Sequence, residues 1–408
     1  MRRSFWVWLH RWAGLTMAGL LIVVGLTGSL LAFYPEIERA INPQFYPAQP
    51  CTAPLGPGEL AARLETARPV LRVTAVTIEG NQGATLASVK AAPGAPALTY
   101  DNVFLSPCDG SVLFERRFGD LSQGLTNLMG FVYRLHYELA LGKVGIWILG
   151  ICALIWTLDC FVALYLTFPI RRRRPISNAA DAAPGKSWLA RWRPAWKVRW
   201  SAGPTKLNFD LHRAGGLWLW PALLVFAWSS VYMNLWDTVY TWTTRAVMEF
   251  HAPWTTFTPR AERLETPRLG WREAEQRGIA LMSAAAQTEG FTIERPVALR
   301  LRPEWGTYEY RVRSSLDLQD KRGTTRVWFD ADTGTQRLLL LPQGQYTGNT
   351  VTNWLYALHM ASVFGLPYRI FVSALGLVIT MLSVTGIIIW LKKRRASRLS
   401  RKRRRSNA

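Results

Sequence analysis

Long apolar stretches and polar segments alternate along this chain. Four apolar stretches cover about residues 5–33, 144–168, 215–236 and 367–391. Each approaches the roughly 20 residues that cross a hydrocarbon core of about 30 Å. The first stretch follows basic residues as a signal peptide would, but it is too long and no small-residue cleavage site precedes Tyr34. The pattern predicts four transmembrane helices, the first of them retained as an anchor.

The two long polar segments, 37–130 and 237–350, repeat one order of elements. In each, apolar alternation predicts a helix, two strands and a closing strand pair about a tight turn. The predicted elements are a helix at 59–66 and strands at 70–79, 85–89 and within 103–113 in the first segment, and a helix at 272–288 and strands at 297–302, 308–313 and within 327–338 in the second. The chain is therefore interpreted as an internal duplication of span, external α+β module and span.

The duplication predicts eight consecutive regions. They are span 1 at 5–36, the first external module at 37–130, an outer histidine segment with span 2 at 131–169, a basic loop at 170–208, span 3 at 209–236, the second external module at 237–350, an outer histidine segment with span 4 at 351–391, and a basic tail at 392–408.

Two short histidine motifs each occur twice, in the order one, two, one, two. The first is L-H-R-x-x-G-L at His10 and His212, and the second is L-H-x-x-x-x-x-G at His136 and His359. The chain has only five histidines, and these motifs use four of them. This allocation indicates a shared chemical role.

Charge is concentrated beside the apolar stretches. The net charge of +22 arises from 49 Lys and Arg against 27 Asp and Glu. The basic residues cluster before span 1, in the loop 170–208 and in the tail 392–408. This placement favours topology signals over nucleic-acid binding, and the positive-inside rule puts both termini on the cytoplasmic side of a membrane. The two modules then lie outside.

The basic loop carries Trp188, Trp192, Trp196 and Trp200 at intervals of four residues. This spacing predicts an amphipathic helix on anionic lipid headgroups, with a docking surface for a cytoplasmic electron donor as the alternative. The tail after Lys392 is expected to be disordered and to follow the membrane surface.

The histidine positions point to haem. An ionisable side chain at membrane depth costs free energy. The placement of His10 and His212 at matched depth near the inner face therefore indicates a function. Two neutral imidazoles on facing helices are suitable axial ligands for an electron-transfer haem. His136 and His359 lie seven or eight residues outside their apolar cores, which predicts a second haem at the outer boundary.

The alternative is that these histidines only pack or lie at the interface. Zinc would need carboxylate or cysteine ligands in addition, and the nearby Glu138 and Asp210 each occur in one copy only. His251 stands alone and is expected at the surface.

Three further residues in the spans could contact such a cofactor. Arg11 and Arg213 could pair with haem propionates or with lipid phosphate. Asp159 could handle a proton at a quinol site, contact a haem edge or serve a structural role.

The four cysteines fall in two places. Cys51 and Cys108, in the first external segment, could form a disulfide in an oxidising compartment. Cys152 and Cys160 are expected to pack within span 2.

The order of these motifs resembles the PepSY-associated transmembrane family, from Phe5 to Trp390. The modules end in V-F-L-S-P-C-D-G-S-V-L and V-W-F-D-A-D-T-G-T-Q-R-L. The second copy keeps the usual D-x-x-T-G from Asp330 to Gly334, whereas the first has P-C-D-G at that point. The resemblance implies an α-helical membrane protein with a four-helix transmembrane bundle from an internal duplication and two periplasmic α+β PepSY-like modules.

Members of the family include inner-membrane ferric-siderophore reductases with two b-type haems. The resemblance therefore implies haem-dependent reduction of a periplasmic ferric siderophore or other ferric chelate in iron uptake, with His10, His136, His212 and His359 as axial ligands. No G-x-G-x-x-G follows a predicted strand. The electron donor is thus expected to be a separate cytoplasmic reductase, reduced flavin or quinol.

Two other classes of function stay open. One is a non-enzymatic PepSY membrane protein that regulates a protease or senses the envelope. The other is haem delivery. A delivery protein would hold haem loosely through one axial ligand, so two candidate ligands for each haem argue against this class. Five aromatic residues of the second module are expected either to shape a docking site or to anchor at the interface: Trp305, Tyr308, Tyr310, Trp328 and Tyr346.

Overall fold

The computed structural model describes residues 2–47, 51–78, 85–170, 187–251, 253–320 and 322–406. It divides into two compact units. The membrane unit comprises Met1–Leu30, Leu135–Val239 and Phe371–Ala408, and the sheet unit comprises Leu31–Arg134 and Tyr240–Ile370.

The elements alternate between long helices and groups of strands. The helices are α1 (Arg3–Leu31), α2 (Tyr34–Ile41), α3 (Pro57–Ala67), α4 (Leu128–Glu138), α5 (Lys143–Thr167), α6 (Trp188–Trp192), α7 (Pro204–Trp218), α8 (Trp220–Asn234), α9 (Thr241–Thr244), α10 (Pro253–Thr256), α11 (Trp271–Glu289), α12 (Thr347–His359) and α13 (Gly365–Ser406). The strands are β1 (Leu71–Ile78), β2 (Thr85–Ala91), β3 (Asn102–Leu105), β4 (Val112–Arg116), β5 (Ile293–Arg302), β6 (Thr307–Ser314), β7 (Thr325–Asp330) and β8 (Gln336–Leu340).

Among the described residues, three helices, α1, α5 and α13, are long and apolar enough to cross a membrane. The third apolar stretch, predicted as one span at 209–236, is divided into α7 and α8, which bend by 70° at Leu219. Pro221 explains the break, because its ring nitrogen cannot donate to the carbonyl of Leu217. The pair can still form a fourth, broken span.

Close helix contacts in the membrane unit occur at glycine. A Cβ atom on Gly25 of α1 would lie 2.7 Å from the carbonyl oxygen of Gly376 on α13. Beside it, the Ser29 hydroxyl donates to the Ser373 carbonyl at 2.8 Å. Gly150 of α5 similarly meets the side chain of Leu235, just beyond α8. Small residues let these backbones approach where lipid provides no hydrophobic drive for association.

Two expectations for the basic segments were wrong. The tail is helical, because α13 continues to Ser406 and no glycine or proline follows Trp390 to end it. The tryptophan-rich stretch forms only α6 and a 3₁₀ turn at Arg193–Trp196, since Pro194 interrupts the helical hydrogen bonds. The arginine cluster at 171–174 lies outside the described residues.

The sheet unit contains one antiparallel sheet of eight strands, in the order β4-β3-β2-β1-β5-β6-β7-β8. The first polar segment supplies β1–β4 and the second supplies β5–β8. They join where β1 pairs with β5, with Ala75 opposite Arg300. The two segments expected as separate modules thus share a sheet.

The apolar face of the sheet packs against α3 and α11. Its core is built from Leu60 and Leu64 of α3, Trp271 and Met282 of α11, and Leu71, Leu299, Tyr308 and Phe329 of the strands. The predicted helix at 272–288 agrees closely with α11, whereas the strand predicted at 297–302 begins earlier, at Ile293. Tyr308, Tyr310 and Trp328, expected either to shape a docking site or to anchor at the interface, are buried instead.

The two hairpin ends form turns of similar chemistry. The Asp330 carboxylate accepts from the backbone N–H groups of Asp332 and Thr333, and Gly334 has φ 70°. In the first copy Asp109 accepts from the N–H of Ser111, and Gly110 has φ 79°. Glycine is favoured at both positions because it adopts positive φ without a Cβ clash.

Gly278 on α11 lies directly over the sheet. A Cβ atom there would lie 2.6 Å from Cγ of Tyr310. We expect Gly278→Ala to lower the apparent thermal unfolding midpoint, because overpacking costs about 1–3 kcal/mol and exceeds the gain in helix propensity of about 1 kcal/mol. Ser283→Ala, exposed on the same helix, is the control. An unchanged or higher midpoint for Gly278→Ala would contradict this packing.

Cys51 and Cys108 form a disulfide, with Cα atoms 5.5 Å apart, that closes 57 residues of chain. We expect that neither Cys51 nor Cys108 in the purified protein reacts with maleimide until a reductant is added. Cys51→Ser should expose Cys108 to labelling without reductant and destabilise the sheet unit by about 2–4 kcal/mol. Immediate labelling of both cysteines in the unreduced wild type would exclude the bond.

Candidate functional site

The two histidines of the first motif meet in the membrane unit. His10 lies on α1 and His212 on α7, with ring centroids 6.1 Å apart and ring planes inclined by 57°. A metal–nitrogen bond is about 2.0–2.1 Å. Adding the distance from nitrogen to ring centre, two imidazoles on opposite sides of one metal ion have centroids roughly 6.3 Å apart. The observed separation is close to that value.

An acidic side chain orients His10. Its Nδ1 lies 3.0 and 2.9 Å from the two carboxylate oxygens of Asp159 on α5. An ionised carboxylate only accepts hydrogen bonds, so Nδ1 carries the proton and donates. In the neutral ring, Nε2 then has a lone pair free for a metal.

A backbone carbonyl orients His212. Its Nδ1 lies 3.0 Å from the oxygen of Leu382 and 3.1 Å from Oγ1 of Thr385. The carbonyl can only accept, so Nδ1–H is again the donor and Nε2 keeps its lone pair. A hydrogen bond from the second ring nitrogen to a carboxylate or carbonyl is the usual arrangement of a metal-ligating histidine.

The two orienting groups lie at the same spacing from the glycine of the second histidine motif. Asp159 follows Gly142, and Leu382 follows Gly365, by 17 residues in each case. One copy therefore supplies a side-chain carboxylate where the other supplies a backbone oxygen.

Glycines leave room beside this pair. Gly14 and Gly216 each follow a histidine by one helical turn and so lie on the same helix face. Nothing lies within 4 Å of a Cβ built on Gly14, and only Leu382 Cδ2, at 3.9 Å, approaches one on Gly216. A larger side chain would fill this space, which suits a flat macrocycle between the rings.

The arginines that follow these histidines have other surroundings. Arg11 is exposed. Arg213 donates to the carbonyl of Pro194 at 2.9 Å and forms an ion pair with the buried Asp210 at 3.0 Å. The structure therefore holds Arg213 against the basic loop.

His136 lies in the last turn of α4, within the membrane unit. Its Nδ1 lies 3.0 Å from Oγ1 of Thr27, and the ring also hydrogen-bonds the carbonyl of Val24. The Thr27 hydroxyl already donates to the carbonyl of Val23 at 2.7 Å, so Thr27 accepts from Nδ1–H. Gly28 permits this approach, because a Cβ there would lie 3.0 Å from Cε1 of His136.

Sequence reasoning missed Thr27. A spacing could have found it: Thr27 follows His10, and Ser229 follows His212, by 17 residues. A hydroxyl thus recurs at the same point of each odd-numbered span.

His359 is the last residue of α12, in the sheet unit. The chain then turns through positive φ at Ala361, Phe364 and Gly365, and the helix α13 begins. Leu139, Ala140 and Gly142 make a similar turn after His136. The glycine of the L-H-x-x-x-x-x-G motif is explained in both copies by this left-handed turn.

The fifth histidine is engaged elsewhere. His251 Nε2 lies 2.9 Å from Oγ1 of Thr256, and its ring stacks on Tyr346 with centroids 5.1 Å apart. Across the described residues, no group of three or more His, Cys, Asp or Glu could hold a metal ion.

The family model for the PepSY-associated TM region matches residues 7–393. The chain belongs to this family. The match contains both copies of both histidine motifs and both polar segments, as the resemblance of the motifs predicted. A search of curated proteins found no match.

Proposed function

We propose that this PepSY-associated membrane protein is a dihaem b-type oxidoreductase that moves electrons from the cytoplasmic side of the inner membrane to a ferric chelate in the periplasm. The observation that carries the proposal is the His10–His212 pair. Each ring directs Nδ1–H at a fixed acceptor, and their separation of 6.1 Å suits one metal between them.

A bound haem would supply one-electron chemistry. His10 and His212 would be its axial ligands through Nε2. Asp159 and the Leu382 carbonyl would fix the ring orientations, and Gly14 would leave room for the macrocycle. The contact of Asp159 with His10 favours an orienting role for this carboxylate over proton handling at a quinol site.

We propose a second haem on His136 and His359. This part rests on the repeated L-H-x-x-x-x-x-G motif and on the similar left-handed turn that follows each of its histidines. Haems near both membrane faces would connect a cytoplasmic donor to an external acceptor. The donor would be a separate reductase, reduced flavin or quinol, and the acceptor a ferric siderophore or similar chelate.

Two features support this orientation. Basic residues cluster beside the spans on one side, as the positive-inside rule requires. The Cys51–Cys108 disulfide belongs to the sheet unit and suits an oxidising periplasm.

Absorption spectra of the detergent-purified protein, with haem counted as pyridine haemochrome, test the proposal. We expect two low-spin b haems per chain in the wild type and about one in His10→Ala, His212→Ala or His359→Ala, because each variant removes an axial ligand. His251→Ala is the matched control and should keep both. A colourless wild type produced with ample haem would refute the proposal and favour the non-enzymatic regulator.

The carboxylate on His10 should also affect the reduction potential. Asp159→Asn keeps an acceptor for Nδ1–H but removes the negative charge that makes the ligand more basic. We expect unchanged haem content and a potential of one haem that is more positive by about 60 mV, equivalent to one tenfold change in a one-electron equilibrium. Asp237→Asn, exposed in the same unit, is the control. A redox titration that finds no such shift would contradict a charged Asp159 as the partner of a haem-ligating His10.

A further inference from the structure

The face of the sheet opposite α3 and α11 carries arginines on three neighbouring strands. Arg300 on β5 lies directly opposite Glu309 on β6, and Arg311 on β6 lies opposite Arg326 on β7. Glu309 and Arg311 are two residues apart on one strand, so all four side chains project from the same face. Arg302 lies two residues beyond Arg300 on that face. We name these four arginines, with Glu309, the arginine face.

One buried carboxylate serves all four guanidinium groups. Glu309 is 2% exposed, and it lies 2.6 Å from Arg311 and 3.4 Å from Arg302. Burial alone would raise the pKa of Glu309, but the four surrounding positive charges outweigh it and hold that pKa below its ordinary value. Four cations against one anion leave an excess of three positive charges.

Neighbouring groups do not remove this excess. Glu304 lies 3.8 Å from Arg302, but it also pairs with Arg263 at 3.7 Å. Two more arginines lie at the margin of the arginine face. Arg313 pairs with Glu294. Arg295 is attracted by Glu294 and Asp317 and repelled by Arg313.

The arginine face also has hydrogen-bond donors to spare. The Nε atoms of Arg302 and Arg311 are buried and have no hydrogen-bond partner within the described residues. Their side chains are nevertheless 31% and 19% exposed, and that of Arg326 is 29% exposed. Burial lowers the pKa of Arg300. Partly buried cations of this kind gain most from an anion that accepts several hydrogen bonds at once.

Two aromatic rings lie at the arginine face: the half-buried Trp305, and the buried Trp328 directly opposite Glu309 on the same side of the sheet. The Arg302 guanidinium lies 5.8 Å from the ring centroid of the half-buried Trp305, and Arg326 lies 6.0 Å from that of Trp328. These contacts hold the guanidinium planes beside apolar surface.

We propose that the arginine face is the binding site for an anionic, oxygen-ligated ferric chelate of the tris-catecholate class. Such a chelate sets six anionic oxygens against Fe³⁺, so it carries three negative charges, equal to the excess on this face. A single phospholipid phosphodiester carries one negative charge and matches it poorly. The inference rests on the proposed function and specifies its substrate class.

The gallium(III) tris-catecholate complex tests binding without electron transfer, because Ga³⁺ is not reduced under these conditions. Titration calorimetry with the full chain in detergent should detect saturable binding that weakens as salt is added. The uncharged gallium(III) trihydroxamate should bind at least about tenfold more weakly, since charge-assisted hydrogen bonds would be lost.

Arg302→Gln combined with Arg326→Gln should weaken binding of the tris-catecholate at least about tenfold. Arg272→Gln is the matched control, because Arg272 is exposed on α11 and pairs with Glu59. If the double glutamine variant does not fold, the wild-type comparison of charged and uncharged chelates still decides the matter. Equal affinity for the two chelates would overturn the proposal. So would displacement of the anionic chelate by vesicles of anionic phospholipid.

The binding test and the haem count can fail separately. A dihaem protein that binds no gallium tris-catecholate would overturn the arginine face as a substrate site and leave the oxidoreductase proposal standing. A haem-free chain that binds the anion through Arg302 and Arg326 would refute the oxidoreductase and require another use for the bound anion.

Discussion

The hydrogen bond from a histidine Nδ1–H to a fixed acceptor is the interaction on which the candidate site depends. His10 donates to a carboxylate, His212 to a carbonyl and His136 to a hydroxyl. An imidazole placed without such a partner at membrane depth would pay for its desolvation and could turn freely. With the partner, each ring is held in one orientation, which is the usual arrangement of a metal-ligating histidine.

The repeated histidine motifs place two of these acceptors at the same spacing, but the acceptors themselves differ. Equivalent positions on α5 and α13 contact the two inner histidines, but only Asp159 brings a charge. The two axial ligands of the proposed haem would therefore differ in basicity although their motifs are alike. The repeated motif thus gives His10 and His212 similar positions, but it gives them hydrogen-bond acceptors of different charge.

The two faces of the sheet differ in composition: one is apolar and packs against helices, and the other carries charged side chains. Strand alternation directs Leu299, Tyr308 and Phe329 towards α3 and α11, where they form the core. The intervening residues of the same strands include Arg300 and Glu309, so the opposite face collects charge. Joining β1 to β5 places this charged face near the middle of a continuous sheet instead of at the edge of a small one.

The sequence by itself determined the features that depend on local order along the chain. Apolar runs indicated the spans, alternation indicated most helices and strands, and the paired motifs singled out His10 and His212 as partners. The broken third span could have been inferred from Pro221, because proline lacks the N–H that a continuous helix requires. The tail was misjudged since charge density does not end a helix that lacks glycine and proline.

Only the tertiary structure decided the contacts between residues far apart in the chain. His10 and Asp159 are separated by 149 positions, and no local pattern connects them. The pairing of β1 with β5 and the sharing of Glu309 among four arginines likewise depend on how distant strands are brought into register. Periodicity specifies which face of an element is apolar, but the choice of neighbour is made by packing in three dimensions.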